Sequence, residues 1–388
     1  MFDLSLDDAQ QMVVDTARQF AARVLAPRAA LLDVEGGFPR DSLAEAAKLG
    51  LLGINVPEAL GGVEAGAVAY ALAVVELARA CASTTVAMTV SNMVAEVITK
   101  FGTPAQREQH VPALCSGEYV VGGFALSEAG AGSDPAAMRT RAHRTERGWL
   151  LSGQKLWITS GSDAGLFVVW ARTDDPAASK GTAGITAFLV RGDAPGLVRG
   201  KPEHKLGQHG STTTPLEFNE VLLGDDALLG EEGRGFRVAM MALDGGRIGI
   251  ASLALGCGLA ATDFAADYAL QRSQFGQAIA GYQAIQWMLA DSATELDAAR
   301  LLVLRAAWLK EQGKGHTTEA AMAKLMASER AHAACDRAIQ ILGGYGYVRD
   351  FPVERYLRDV RVTRIFEGTS EIQRIILSRE VMRRFARA

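Results

Sequence analysis

The chain has 388 residues, of which 49% are hydrophobic and 22% charged, and its formal net charge is −4. This length predicts two or three domains with a sizeable buried core, and the composition is ordinary for a globular protein. The small net charge, without a basic stripe or a basic amphipathic helix, argues against a nucleic-acid partner and against binding to a membrane surface.

Cysteine usage and hydropathy favour a cytoplasmic protein. The four cysteines form no C-x-x-C pair, which predicts free thiols in a reducing compartment. The N-terminus is acidic and shows no signal sequence. The longest uncharged runs, residues 80–95 and 248–262, are shorter than the roughly 18 apolar residues of a transmembrane span, so no integral membrane association is expected.

Residues 1–118 are predicted to form an N-terminal helical domain. Ser5 and Asp8 resemble a capping box at the start of a first helix, which Pro27 bends or interrupts. Thr103-Pro104 starts a short last helix with proline in its first turn. The helices predicted between these two span residues 41–49, 66–80 and 84–101.

Residues 119–230 have the pattern of a β domain. Short apolar runs alternate with turn formers such as Ser152-Gly153 and Ser160-Gly161, and no helical periodicity lies between them. This pattern predicts an antiparallel β-barrel or sandwich. The predicted strands are residues 120–125, 149–158, 166–171, 185–190 and 213–218.

Residues 231–388 are helical again, and the helices are long. Apolar residues recur at helical spacing from Ile285 to Leu309, and glycines at 313 and 315 close that helix. Another helix is predicted at 318–342, and a last one follows Ser370. Long helices joined by short loops favour a four-helix bundle. The whole chain is therefore predicted to be an α+β multidomain protein with helical, β and helical-bundle domains in that order.

Motifs of several other enzyme classes are missing or misplaced. The sequence contains no Walker A motif and no G-x-S-x-G elbow. Gly256-Cys257-Gly258 with Ala261 fits the dinucleotide pattern G-x-G-x-x-A, but it lies inside a helical pattern and follows no strand. The six histidines lack metal-ligand spacing, so no metal site is predicted.

Residues 244–258 hold five glycines in fifteen positions, which makes a weak helix in isolation. Two interpretations stay open. The later glycines allow neighbouring helices to pack closely, or a ligand lies across the first turn, where Asp244 and Arg247 occur.

Two further segments allow a structural and a functional interpretation. The loop at 124–134, with Ser127 and Ser133, is either a plain connection or a site where free N–H groups and hydroxyls bind a phosphate or a carbonyl-rich ring. Trp157 at a strand end is either a core residue or a flat wall for a ring.

Taken together, five segments resemble the acyl-CoA dehydrogenase family, in that family's order and spacing and over nearly the whole chain. Any one motif is weak, but the set is specific, and its closest variety is the short-chain, butyryl-CoA type. The family's α domain, β domain and four-helix bundle match the layout predicted above. The segments are residues 124–134, 157–161, 244–252 with 271–276, 340–346 and 365–374.

The resemblance implies a non-covalently bound FAD and an acyl-CoA thioester. The residues expected to lie against the flavin cofactor are Phe124, Ala125, Leu126, Ser127, Gly132, Ser133, Trp157, Ile158, Thr159, Thr369, Ser370 and Glu371. Those expected to reach an FAD held mainly by a neighbouring subunit are Arg272, Phe275, Gln283, Gln340, Ile341, Leu342, Gly343 and Gly344. Those expected to contact the CoA ester are Ser133, Asp244, Gly245, Gly246, Arg247 and Gly368. A shared FAD implies a homo-oligomer, which is a tetramer in most relatives.

Glu367 is the residue that the resemblance makes catalytic. In the family, the carboxylate of E-G-T takes the α-proton of the thioester while a hydride leaves the β-carbon for the flavin, giving a trans-2-enoyl-CoA. The Glu N–H and a flavin ribityl hydroxyl stabilise the thioester oxygen. The residues suit this role because apolar neighbours such as Ile365 and Phe366 would raise a carboxyl pKa towards neutrality. Ser370 and Gln373 resemble a capping box, which predicts a helix directly after the base.

Three positions depart from the family's common patterns, and a fourth distinguishes between two patterns found in the family. Some relatives carry a second candidate base immediately before the helix arginine, where this chain has Gly246. Ala129 replaces the proline of the flavin loop, with a small local effect expected. His209 replaces an Arg or Lys that bears on CoA phosphates or a partner, and Leu253 replaces a Gln that bears on acyl length.

Three hypotheses compete. The leading one is a dehydrogenase that passes electrons to an electron-transfer flavoprotein. The second is an acyl-CoA oxidase that uses dioxygen, which the absence of a long C-terminal extension disfavours. The third is a non-catalytic acyl-CoA-binding scaffold, which the retained Glu367 disfavours.

Overall fold

The computed structural model describes residues 5–174 and 181–386. Its first part is helical, as predicted, and two of its helices, α1 and α6, begin at a capping box that satisfies free N–H groups. For example, Thr103 and Gln106 form a capping box, and Pro104 is the first residue of α6. The helices are α1 (Asp8–Phe20), α2 (Ala26–Glu35), α3 (Arg40–Lys48), α4 (Gly66–Ala80), α5 (Ala82–Phe101) and α6 (Pro104–Cys115).

One prediction about α1 was wrong in detail. The cap is Asp7 and not the Ser5–Asp8 pair, because the Asp7 carboxylate accepts the Gln10 N–H at 2.7 Å and the Gln10 side chain accepts the Asp7 N–H at 3.3 Å. The predicted interruption at Pro27 is confirmed. A π-helical turn (Ala21–Leu25) separates α1 from α2, and Pro27 lies in the first turn of α2, where an N–H is not needed.

The central part forms one eight-stranded sheet. Seven strands follow the order β6-β7-β3-β2-β4-β5-β8, and β1 pairs with β4. The pairs β1–β4 and β2–β4 are parallel, where the sequence predicted antiparallel pairing throughout. The short strands β2, β6 and β8 were not predicted, because none is a long apolar run. The strands are β1 (Gly122–Ala125), β2 (Arg141–Thr145), β3 (Gly148–Thr159), β4 (Leu166–Arg172), β5 (Ile185–Arg191), β6 (Leu197–Arg199), β7 (Thr213–Leu223) and β8 (Leu228–Leu229).

The last part is a helical bundle with a small hairpin inserted in it. The nine-residue helix α10 was not predicted, since its sequence V-E-R-Y-L-R-D-V-R is short and mostly charged. The hairpin strands are β9 (Ser273–Gln274) and β10 (Gln277–Ala278). The helices are α7 (Gly235–Gln271), α8 (Gln283–Glu311), α9 (Thr317–Leu342), α10 (Val353–Arg361) and α11 (Ser370–Phe385).

Helix α7 forms the centre of the protein. It packs against α4, α5, α8 and α9 and reaches β5 of the sheet. A Cβ on Gly256 would lie 2.5 Å from the Val75 carbonyl oxygen, and one on Gly258 would lie 2.9 Å from Ala331 Cβ. The packing interpretation of these later glycines is therefore confirmed. In the described part of the chain, α7 alone is long and apolar enough to cross a membrane, but 78% of its most apolar window is buried inside the protein.

Candidate active site

Glu367 lies in a left-handed turn between α10 and α11. Its φ is +53° and that of Gly368 is +85°. Left-handed backbone is unfavourable for a residue with a Cβ, and residues in this conformation are enriched at functional sites. The Gln373 amide holds the turn by donating to the carbonyl oxygens of Gly368 at 2.9 Å and Glu367 at 3.3 Å. The predicted rigid joint between the carboxylate and the next helix is thus present.

The cap of that helix differs from the prediction. Thr369 is the N-cap of α11, and its hydroxyl accepts the Ile372 N–H at 3.3 Å. Ser370 is instead the first residue of the helix, and its hydroxyl donates to Glu329 of α9 at 2.6 Å. The Glu329 carboxylate, on another helix, therefore binds the Ser370 hydroxyl that the local sequence pattern assigned to the helix cap.

The Glu367 side chain points into the protein between α5 and α7. The residue as a whole is partly exposed, but its Oε2 is buried and has no hydrogen-bond partner in the described part of the chain. A Cβ on Gly246 of α7 would lie 2.8 Å from this oxygen and 3.0 Å from the Met93 sulfur of α5. Only a glycine at position 246 leaves room for the carboxylate in this position.

Burial sets the protonation of this carboxyl group. It raises the pKa of Glu367 from 4.5 to about 7, although the positive charges of Arg247 and Lys324 act in the opposite direction. Of the two apolar neighbours predicted to shield it, Ile365 was predicted wrongly, because it is 52% exposed, whereas Phe366 is partly buried and packs against the hydrophobic core. Neighbours distant in sequence on α5 and α7 also lie beside the carboxylate.

The backbone beside the carboxylate also has unused hydrogen-bonding capacity. The Glu367 N–H donates to no described residue, whereas Ile365 and Phe366 both donate to the Val362 carbonyl oxygen. An N–H without an acceptor next to an unpaired carboxylate can bind a carbonyl oxygen while the carboxylate takes a proton from the adjacent carbon. This pair suits proton abstraction next to a carbonyl group.

Arg247 is buried in the fourth turn of α7, near this carboxylate, and its guanidinium donates to Asp244 at 2.5 Å. Its Nε is buried without a partner in the described residues. Asp244 also accepts the Thr317 hydroxyl at 2.6 Å, a contact that the sequence did not suggest. Asp244 and Gly245 are partly buried beside them.

The glycine-rich loop at 124–133 is held by a buried lysine of β3. Lys155 is fully buried, and its ammonium group donates to the Leu126 carbonyl oxygen at 3.0 Å and to Glu128 at 2.7 Å. Glu128 also accepts the N–H groups of Arg139 and Thr140 at 2.6 and 3.0 Å. Sequence reasoning missed Lys155, although the alternation of β3 places it on the same buried face as Leu151.

The same strand brings Trp157 next to this loop. The Leu156 N–H donates to the Ser127 carbonyl oxygen at 2.9 Å, so loop and strand end are joined. A bulge between Lys155 and Ile158 leaves Trp157 with φ +63° and an indole that is 59% exposed. The core interpretation of Trp157 was therefore wrong, and its ring is available as a wall. Gly132 and Ser133 are exposed, Thr159 is partly buried and Ile158 is buried.

A second group of predicted residues lines a separate cavity of about 750 Å³. Phe275, at the tip of the β9–β10 hairpin, is 96% exposed and has φ +52°. Gln283 and Gln340 are exposed and lie close in sequence to residues that line the cavity, but they do not line it themselves. Glu367 does not line this cavity either. The predicted residues that do line it are Arg272, Phe275, Ile341, Leu342, Gly343 and Gly344.

The remaining predictions have mixed outcomes. Glu371 is exposed in the first turn of α11. His209 makes contacts within the chain, with its ring nitrogens 2.8 Å from the Asp33 and Lys205 carbonyl oxygens. Leu253 is fully buried in α7, and Ala129 is exposed. In the described part of the chain, no group of three or more His, Cys, Asp or Glu side chains could hold a metal ion.

Comparison with known proteins agrees with this architecture. Models of the acyl-CoA dehydrogenase N-terminal, middle and C-terminal domains match residues 7–118, 123–221 and 233–382. The mitochondrial short-chain specific acyl-CoA dehydrogenase of Bos taurus is 48% identical over 98% of this chain and 92% of its own.

Two solved structures are similar over the full length of their chains. The butyryl-CoA dehydrogenase of Megasphaera elsdenii has a TM-score of 0.95 and 39% identity, covering 98% of this chain and 100% of its own. A chain in a structure of the electron transferring flavoprotein of Acidaminococcus fermentans has a TM-score of 0.96 and 40% identity, with the same coverage.

Fold and site together define an oxidoreductase of acyl thioesters. The chain belongs to the acyl-CoA dehydrogenase family, and it is an FAD-dependent enzyme that oxidises an acyl-CoA to the enoyl-CoA. The residues present fit the cofactor, because an exposed indole adjoins a loop that buried contacts hold in place. The unpaired carboxylate and N–H of Glu367 are the polar groups that such a reaction needs.

Proposed function

We propose that Glu367 is the catalytic base and that its N–H binds the thioester oxygen of the substrate. The observation that carries this proposal is the buried Oε2 without a partner, on a carboxyl group whose pKa is about 7. Such a group is ionised often enough at neutral pH to accept a proton, and basic enough to take one from a carbon acid. When bound, FAD supplies the acceptor for the hydride that leaves the β-carbon.

The substrate is a short-chain or branched acyl-CoA. The space beside Glu367 is narrow, since Met93 and Gly246 bound it on α5 and α7. Further along α7, a Cβ on Gly249 would lie 2.7 Å from the hydroxyl oxygen of Tyr70, which closes that side. The short-chain and butyryl-CoA names of the relatives support the same acyl length. The CoA ester contacts are Ser133, Asp244, Gly245, Gly246, Arg247 and Gly368.

FAD lies against the loop at 124–133, the β3 end at 157–159 and the start of α11 at 369–371. The cavity containing Arg272 and Phe275, together with Gln283 and Gln340, reaches the FAD of a neighbouring subunit in a homotetramer. The exposed apolar residues in and near this region support an interface between subunits; they include Leu270, Phe275, Trp287 and Tyr347, which are 68%, 96%, 62% and 86% exposed. The protein is cytoplasmic, with domain boundaries near residues 118 and 230.

The electron acceptor is an electron-transfer flavoprotein. The similarity to a chain in a structure of an electron transferring flavoprotein supports this acceptor over dioxygen. Rapid reoxidation of the reduced enzyme by air alone would favour the oxidase instead. A purified protein without yellow colour would favour the non-catalytic scaffold.

The decisive experiment is an anaerobic titration of the FAD-loaded enzyme with acyl-CoAs of increasing length, following the loss of flavin absorbance. Short acyl groups should reduce the flavin fastest. Glu367→Gln should keep FAD and bind acyl-CoA but lose flavin reduction by about four orders of magnitude or more, because no base is left to take the α-proton. The matched control is Glu380→Gln, which changes a glutamate on α11, the helix that follows the Glu367 turn, and should behave as wild type. Flavin reduction by Glu367→Gln at the wild-type rate would refute the assignment.

A further inference from the structure

Lys324, in the middle of α9, is a fully buried cation close to the proposed base. Its side chain is completely buried, and its ammonium group donates to the Gly368 carbonyl oxygen at 2.7 Å. No carboxylate in the described part of the chain forms an ion pair with it. Burying an ammonium group without a paired carboxylate costs several kcal/mol, so this lysine requires an explanation.

The hydrogen bond to Gly368 does not supply that explanation. The same carbonyl oxygen already accepts the Gln373 amide at 2.9 Å, so it would not be left unsatisfied without the lysine. An apolar side chain of the same length would fill the space at a lower desolvation cost. The fold therefore needs the volume at position 324 but does not need its charge.

The charged groups that face Lys324 are Glu367, Arg247, Glu329 and Glu371. Three of these are satisfied by other groups. Arg247 donates to Asp244 at 2.5 Å, Glu329 pairs with Arg364 at 2.8 Å, and the Glu371 side chain is 76% exposed to solvent. The one buried carboxylate without a partner that faces Lys324 is Glu367.

The groups that face Glu367 from its other sides do not provide a free positive charge. Tyr70 of α4 faces both Glu367 and Glu96, and Glu96 pairs with Lys310 at 2.6 Å. Arg247 of α7 is the cation with the larger effect on Glu367, but its guanidinium is already bound to Asp244. Lys324 thus forms no ion pair in the described part of the chain, and the carboxylate with the largest effect on its charge is Glu367.

We propose that Lys324 is a positioning residue for catalysis: its ammonium group anchors the Glu367–Gly368 turn and keeps the Glu367 carboxylate ionised inside an apolar slot. This inference rests on the proposed role of Glu367 as the base. Without the charge of Lys324, Arg247 would be the remaining cation that opposes the effect of burial, and the protonated carboxyl group, which cannot accept the α-proton, would be favoured more strongly. During the reaction the α-proton moves from the substrate carbon to the Glu367 carboxylate, and Lys324 keeps its own protons.

The titration behaviour of both groups agrees with this proposal. Burial raises the pKa of Glu367 to about 7, and the charges of Arg247 and then Lys324 oppose that increase. Burial lowers the pKa of Lys324 to about 8, and the largest opposing influence is the charge of Glu367. Between these values, near neutral pH, the carboxylate and the ammonium group coexist.

The test is the pH profile of α-hydrogen exchange in Lys324→Met and Lys324→Gln, with Lys324→Arg as the conservative variant. Acetyl-CoA is the probe, because it has α-hydrogens but no β-carbon, so its exchange with D₂O on the FAD-loaded enzyme reports the base without flavin reduction. Removing the charge should raise the pKa of the base by about one unit. Exchange should then be about 10-fold slower at pH 6 and within about 2-fold of wild type at pH 9.

The controls separate this effect from a loss of structure. Lys324→Arg should restore the wild-type profile. Arg330→Met removes a cation six residues further along α9, one that pairs with Glu295 and not with the turn, and should leave the profile unchanged. A Lys324→Gln profile that does not move, or that falls equally at all pH values, would overturn the proposal.

A reciprocal measurement needs no change at Lys324. The pKa of Lys324, followed by the NMR signal of its ¹³Cε, should be lower in Glu367→Gln than in the wild type, because the lysine has lost its opposing charge. An unchanged Lys324 pKa would overturn the proposal, even if every Lys324 variant failed to fold. Glu367→Gln itself should exchange no α-hydrogen. If it exchanges at the wild-type rate, the assignment of the base fails. If it is inactive while the Lys324→Gln profile stays in place, only the role of Lys324 fails.

Discussion

Replacing Glu367 by glutamine should stabilise the folded protein, and increasingly so as the pH rises. Burial raises the pKa of Glu367 from 4.5 to about 7. A carboxyl group whose pKa is higher in the folded state destabilises folding when it is ionised. The destabilisation is absent below about pH 4.5, grows as the pH rises and is complete above about pH 7. Its full size is about 3 kcal/mol, which follows from the pKa change.

The pH dependence is the signature, because glutamine does not titrate. Between about pH 5.5 and 8.5 the advantage of Glu367→Gln over wild type should grow by about 2 kcal/mol. For a chain of this length that corresponds to about 2 °C in Tm, measured by thermal unfolding of the FAD-saturated proteins. Glu380→Gln is the control, since its pairing with Arg384 and Arg383 lowers the pKa of Glu380 and completes its titration below this range. A Tm difference for Glu367→Gln that is constant across this range, or falls, would refute the burial of the carboxylate.

Two further substitutions test how the site is built. Gly246→Ala should lower kcat/KM for flavin reduction by about 10-fold or more, because the added Cβ would lie 2.8 Å from Glu367 Oε2 and would displace the carboxylate. The Tm should fall little, because the group displaced is a flexible side chain and not backbone. Unchanged kinetics would show that the reacting group lies elsewhere. Lys155→Met should destabilise the protein by about 3–5 kcal/mol and weaken FAD binding, because Glu128 would stay buried without the ammonium group that now lies 2.7 Å from it. FAD binding is measured by equilibrium dialysis. Normal FAD retention would contradict a role for Lys155 in holding the loop.

The sequence predicted helix ends correctly where the signal that ends the helix lies within one turn of chain. The capping box at Thr103 and Gln106 and the glycines near 313 and 343 mark helix ends through interactions within one turn of chain. The same logic chose Ser370 over Thr369 at the start of α11. By sequence alone, the adjacent hydroxyls of Thr369 and Ser370 are equally good caps. Thr369 is used because the Ser370 hydroxyl binds Glu329, a residue of another helix.

The sheet shows where local patterns stop. Apolar runs placed five strands but not their partners, and β1 pairs in parallel with β4 across more than forty intervening residues. Period-two alternation cannot distinguish parallel from antiparallel neighbours. Lys155 was missed for a related reason, because its acceptors, the Leu126 carbonyl oxygen and Glu128, lie in a loop that only the folded sheet brings beside it.

The sequence by itself determined the order of helical and β parts, the family and the identity of the candidate base, because caps, periodicity and motif spacing are properties of neighbouring residues. Tertiary structure alone decided what makes Glu367 a base. Its burial comes from α5 and α7, its unpaired oxygen occupies the space left at Gly246, and its facing cation comes from α9. A carboxyl pKa depends on desolvation and charge within a few ångströms, and those neighbours are set by packing and not by position in the chain.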